Sequence, residues 1–219
     1  GGVAVGGHAY VAESAPNGVA IGEKSNVAHG SGVAVGAYAT AAGYAGTALG
    51  VGAAALGDSS VSLGIQSMAG GAYGSAVGPF AVAQGYSSVA VGDTANALGT
   101  NSVAVGSDAY ASGLQASALG NDAQATGVYS TALGTGAVAS NVMATAIGRN
   151  ATSSGLGSAA LGVSAYASGF AAIAAGFYAS ASGSNSMALG DHATSASENG
   201  IAIGSGAYVA ASGTKENKY

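Results

Sequence analysis

Cysteine and tryptophan are absent from this chain, proline occurs only twice, and charged side chains make up just 6% of the 219 residues. Each shortage excludes something. Without cysteine there is neither a disulfide framework nor a thiolate metal site. Four lysines and arginines against 9 acids give a net charge of −5, the wrong balance for gripping a phosphate backbone. No run approaches the roughly 20 apolar residues, clear of glycine, that a spanning helix needs. The chain opens on Gly1 with no charged n-region and apolar core behind it, so no signal peptide is visible and a piece of something longer is expected. What is abundant is glycine, with 40 residues, and apolar side chains at 49%. That apolar share argues against disorder.

The glycines are periodic. Gly22, Gly36, Gly50, Gly64, Gly78, Gly92, Gly106, Gly120, Gly134, Gly148, Gly162, Gly176, Gly190 and Gly204 follow one another at fourteen residues without a slip. Gly6 belongs to the series but lies sixteen residues before Gly22, with Ala15 and Pro16 as the expected insertion. A single repeat domain over residues 1–212 is therefore expected: a sixteen-residue first unit, then fourteen units over 17–212. Residues 213–219 leave the pattern, as a connector or simply the end of the piece. Within a unit the pattern reads x-s-V-A-[VIL]-G-x-x-A-x-A-x-G-x. Position four is Ala except at Ser62, and position five is Val, Ile or Leu except at Ala175. Position nine is Ala except at Ser25 and Ser67.

Fourteen residues are too few for a helix pair and suit two short strands of about five residues with two tight turns, one coil of an all-β solenoid. The recurring glycines are expected at the turns or where one coil's backbone lies close on the next. Pro16 and Pro79 fall in turn slots, where no ladder hydrogen bond is lost. In the second strand, positions nine and eleven are small and apolar while eight, ten and twelve vary, which predicts one face inside and one in water. In the first strand positions three, four and five are all uncharged, so both faces are expected to be dry. One face meets the opposite strand of the same thin coil; the other calls for a second copy of the chain. Val35, Leu49, Val91, Val105, Leu119, Leu133, Ile147, Leu161, Leu189 and Ile203, all at position five, are the expected core or oligomer seam.

The runs NSVAVGSDAYASG (101–113), SSVAVGDTANALG (87–99) and NSMALGDHATSAS (185–197) resemble the head repeats of the YadA-type trimeric autotransporter adhesins. The resemblance spans essentially the whole chain. It implies a left-handed parallel β-roll, a homotrimer, display on the outer surface of a Gram-negative bacterium through type V secretion, and a role in virulence. It further implies attachment to host matrix proteins such as collagen, or to cell-surface receptors, and autoaggregation. No neck element, heptad stalk or membrane segment is found; the anchor is expected in a missing C-terminal part.

Candidate chemistry is sparse. His8, His29 and His192 have no recurring acid or serine beside them, so no catalytic site is expected. Asp93, Asp108, Asp122 and Asp191 fall at turn positions seven or eight, where solvated acids are ordinary. The calcium-solenoid pattern is missing, and Gly-x-Gly pieces such as Gly134–Gly136 precede no helix or P-loop lysine. No metal, cofactor or nucleic acid is expected. Tyr38 and Tyr178 at position eight, and Tyr110, Tyr166 and Tyr208 at position ten, are expected to face outward, where they either stack on neighbouring coils as good strand formers or offer ring area plus a hydroxyl to a ligand. Between Ser25 and Thr214 the single cation is Arg149, which argues against polyanionic partners. Two rival readings are a passive spacer within a longer fibre and an ice-binding solenoid. The second would need threonine recurring in one slot, which position ten does not show.

Overall fold

The protein is described by a computed structural model over residues 1–211; the tail at 213–219 lies outside the described residues. Every regular element among them is a β-strand, and the chain is a parallel β-solenoid of about fifteen turns. It divides into two units, 1–115 and 116–219. In the first, three-residue strands from Val3–Val5 to Val103–Val105 form one parallel sheet in chain order, and two-residue strands from Tyr10–Val11 to Tyr110–Ala111 form the other. In the second, Ser117–Leu119 to Ile201–Ile203 and Gln124–Ala125 to Tyr208–Val209 do the same. The strands are shorter than the five residues the pattern predicts, because the corners take up the rest of each unit.

Register is locked to the repeat. Val89, Ala90 and Val91 pair with Val103, Ala104 and Val105, and Asn96 and Ala97 with Tyr110 and Ala111. Every position thus stacks on its own kind in the next turn, so one side chain's size must be tolerated by the whole column.

That column logic sets the core. Positions two and four of the first strand and nine and eleven of the second point inward. Ala104, Ala109, Ala111, Ala118, Ala132 and Ala146 are all fully buried. The largest fully buried side chain among the described residues is Val27; the remainder are alanine and serine. Sheets this close leave no room for more. Of the three exceptions at positions four and nine, Ser62 and Ser67 are one contact, their hydroxyls 2.7 Å apart inside a single turn, and Ser25 donates to the Gly22 carbonyl at 3.0 Å. At position two, Ser130 donates to the carbonyl of Gly127 at 2.7 Å and Ser158 to that of Gly155 at 2.7 Å.

The corners differ from expectation in an instructive way. The residues that reverse the chain, at positions eight and one, have φ near +55° yet are mostly not glycine: Tyr38, Phe80, Asp108 and Tyr178 at one corner, Ala45, Tyr73, Asn101 and Met143 at the other. The left-handed cost of about 1–2 kcal/mol at each is offset by a hydrogen bond to the turn before, as from Tyr38 N to Glu23 O at 2.8 Å. The position-six glycines do something else. At Gly190, φ is +136°, closed to side chains, and a Cβ there would lie 2.6 Å from the Gly204 carbonyl oxygen. The position-thirteen glycines are needed only for closeness: a Cβ on Gly99 would land on the Gly113 carbonyl. Pro16 and Pro79 both sit in turns.

Candidate functional site

With the interior filled by alanine, nearly every large side chain is outside. On the first strand, positions three and five alternate with the buried alanine and point away from the coil's own interior. In unit one this outer face carries Val35, Leu49, Val91 and Val105 at position five; Leu49 is exposed and the valines are half-buried. In unit two it carries Leu119, Leu133, Ile147, Leu161, Leu189 and Ile203, of which Leu133, Ile147, Leu161 and Ile203 are exposed. These residues are therefore not the core of a single coil, whose interior the alanines occupy. They form an unbroken uncharged stripe in each unit, which water covers in the isolated chain.

The second strand's outer face is mixed. Tyr166 and Tyr208 at position ten are exposed, Tyr208 by 70%, while Tyr110 is half-buried. Tyr38 and Tyr178 stand exposed at the corner of positions seven and eight. Lys24 reaches over Tyr38, its Nζ 5.1 Å from the ring centroid, with the Glu23 carboxylate 4.0 Å away. The opposite corner, at positions fourteen and one, holds aromatics that the expected site leaves out: Tyr44, Tyr73, Tyr86 and Tyr129, each at least half exposed. Tyr73 and Tyr86 meet edge to face at 5.5 Å. Tallying aromatics by repeat position, instead of by strand face alone, picks them out from the sequence.

In unit two one cluster stands apart. Tyr178 and His192 stack with centroids 5.4 Å apart at 22°, Phe177 meets Tyr178 edge-on at 4.4 Å, and the Asp191 carboxylate lies 3.1 Å from His192 Nδ1. No group of three or more histidines and acids among the described residues could hold a metal ion. No helix there is long and apolar enough to cross a membrane. A hollow of about 440 Å³ lies at the first coil, lined by Ala4, Ala9, Tyr10, Val11 and Glu13 among others.

A parallel solenoid with an alanine interior, a fourteen-residue period and a large-residue outer stripe defines a structural repeat protein. Its family is shown directly. The YadA head domain repeat (2 copies) matches eight stretches: 14–39, 41–67, 55–81, 83–109, 111–137, 139–165, 167–193 and 181–207. The chain belongs to that family. Among solved structures it is similar to the collagen-binding domain of the Yersinia adhesin YadA, at 23% identity, over 88% of this chain and 79% of that one, with a TM-score of 0.32. No curated protein sequence matches the chain. Membership supports an adhesin-type role at the cell surface, in a family that is in general non-enzymatic.

Proposed function

We propose that the chain is the head of a bacterial surface adhesin that works as a homotrimer, exported by type V secretion and anchored in the outer membrane by sequence beyond it. On this reading it attaches the cell to host matrix protein, collagen-type or other, or to a cell-surface receptor, and promotes autoaggregation. The observation that carries it is the inversion of side-chain size: small residues inside, large apolar residues outside. Burying a Val, Leu or Ile contributes about 1.5–3 kcal/mol, and an alanine interior forgoes most of that. A long uncharged stripe left in water is what an interaction surface looks like. Identical copies presenting the same stripe close it by rotation about an axis along the stack. Tyr38, Tyr110, Tyr166, Tyr178 and Tyr208 then lie among the faces left for a ligand, each contact weak and their sum strengthened by three copies.

Sedimentation equilibrium tests the assembly: three chains of 20.1 kDa give about 60 kDa. Val105→Asp and Leu119→Asp, together, should shift that mass to a single chain, since a seam cannot bury an unpaired carboxylate. A parent that sediments as a folded monomer overturns the trimer. Solid-phase binding to collagen, laminin and fibronectin tests attachment; signal on none of them would leave a spacer segment.

A further inference from the structure

In unit two the corner of positions seven and eight forms a ladder of four rungs: Arg149–Asn150, Val163–Ser164, Phe177–Tyr178 and Asp191–His192. Backbone hydrogen bonds hold the rungs together, from Ser164 N to Arg149 O at 2.9 Å, Tyr178 N to Val163 O at 3.0 Å and His192 N to Phe177 O at 2.8 Å. Successive rungs are therefore about 4.8 Å apart.

The rings lie across this ladder. His192 covers one face of Tyr178 in a near-parallel stack, and Asp191 fixes the imidazole by its Nδ1. Phe177 braces both rings from the side, at 4.4 and 5.6 Å. The other face of Tyr178 looks toward the preceding rung, where position eight is only Ser164. Tyr178 accordingly stays 51% exposed and Phe177 47%. One rung further stand Arg149 and Asn150, both exposed, and no side-chain partner for the Arg149 guanidinium is found among the described residues.

The same register elsewhere shows how such a face is reached. Lys24 occupies, before Tyr38, the place Ser164 occupies before Tyr178, and its ammonium lies over the Tyr38 ring. At Tyr178 the preceding side chain is the half-buried Ser164, too short to reach across the ring.

We propose that the slot over this serine binds an acidic sugar: a pyranose ring stacked on the free face of Tyr178, its carboxylate met by Arg149. The slot is about one ring thick between the Tyr178 rung and the Asn150 rung, which suits a flat ligand. Aromatic faces take the apolar side of a ring while hydroxyl groups fix its rim, and here the Tyr178 and Ser164 rungs each carry a hydroxyl, while the Asn150 amide leans back over Gly136 and leaves that side to Arg149. Arg149 brings the single positive charge between Ser25 and Thr214 to the neighbouring rung. A guanidinium fork matches one carboxylate. A polyanion would need a row of cations that the chain does not have, so the same charge count that argues against sulfated chains admits a sugar bearing one carboxylate. The site goes beyond the matrix-attachment reading, and its test is independent of it.

Saturation-transfer NMR on the whole chain, with the methyl glycosides of N-acetylneuraminic acid and glucuronic acid as probes, reads the site directly. Methyl galactoside serves as the neutral control and benzoate as the aromatic one. Binding of at least one acidic glycoside at about millimolar concentration is expected, with the neutral glycoside roughly tenfold weaker. Arg149→Ala should weaken the acidic probe by about tenfold. Ser164→Tyr should abolish binding by filling the slot, and the fold accepts it: Ser164 has φ +55°, and Tyr38 and Tyr178 hold the equivalent position at +62° and +53°. Equal binding of the neutral glycoside, preference for benzoate over both acidic sugars, parental binding by Ser164→Tyr, or no binding at tens of millimolar would each overturn the proposal. Matrix binding that survives in Ser164→Tyr would show the two functions to be separate.

Discussion

The two faces of the first strand share a backbone and differ in everything else. The inner face offers room for a methyl group; the outer face, one residue along, carries valine, isoleucine and leucine in water. In an ordinary domain the large side chains would be inside and the alanines out. Here the coil is too thin, and the backbones of its two strands approach until, apart from Val27, only alanine, serine and glycine are fully buried. What holds the isolated coil together is therefore chiefly the backbone ladder that closes each turn on the next, while its outer apolar surface stays in water. Size alone is a poor guide to the inside of such a fold; column-wise constancy is a better one. Position four varies only between Ala and Ser, whereas position three runs through Val, Thr, Ser, Ala, Ile and Met.

The sharpest way to break this contrast is to exchange the sizes. Ala118→Leu puts three more carbon atoms into a fully buried column. It should cost about 3 kcal/mol or more, since the backbone on both sides is pinned by neighbouring turns. In the isolated, dissociated chain, Leu119→Ala should cost well under 1 kcal/mol. Thermal melts followed by circular dichroism separate the two, and similar losses would mean that the faces are wrongly assigned. Gly190→Ala comes next. It forces a side chain onto φ +136° and against the Gly204 carbonyl, so a loss of about 2 kcal/mol or more is expected. Gly157→Ala is the control, because a Cβ there meets nothing within 4 Å, although its φ of +65° carries a smaller strain. The smallest effect sharpens the inner face itself. Removing both hydroxyls of the buried pair, Ser62→Ala with Ser67→Ala, restores the alanine pattern and should change stability by less than about 1 kcal/mol. Ser62→Ala alone should also be mild, because Ser67 keeps the Gly64 carbonyl at 3.1 Å.

Much of this was legible in the order of residues. The fourteen-residue glycine series set the coil length, and the small residues at positions nine and eleven marked the inward side of the second strand. The uncharged first strand is the ground for expecting a second copy over it, which belongs to the proposed assembly. Which of its faces looks inward was not legible, because alternation inside an entirely uncharged strand has no polar side to mark the solvent. The corners were misleading for a different reason. Glycine normally signals a left-handed residue, but here the left-handed positions go to tyrosine, aspartate and alanine. Hydrogen bonds to the preceding turn hold them there, and the recurring glycines serve instead a φ near +135° at position six and close backbone approach at position thirteen. The aromatic corner of Tyr44, Tyr73, Tyr86 and Tyr129 escaped notice because its tyrosines lie in the turn between coils, on neither strand's face, and are split between positions fourteen and one.

By itself, then, the sequence determined the period, the all-β class and the lack of any thiolate ligand, since these depend only on which residues occur and how far apart. The tertiary structure decided what touches what between turns. Residues 14 apart in the chain become neighbours only once the coil closes. That closure pairs Ser62 with Ser67 across a single turn, stacks Tyr178 on His192 between two, and sets the short Ser164 before Tyr178 with Arg149 one rung further on.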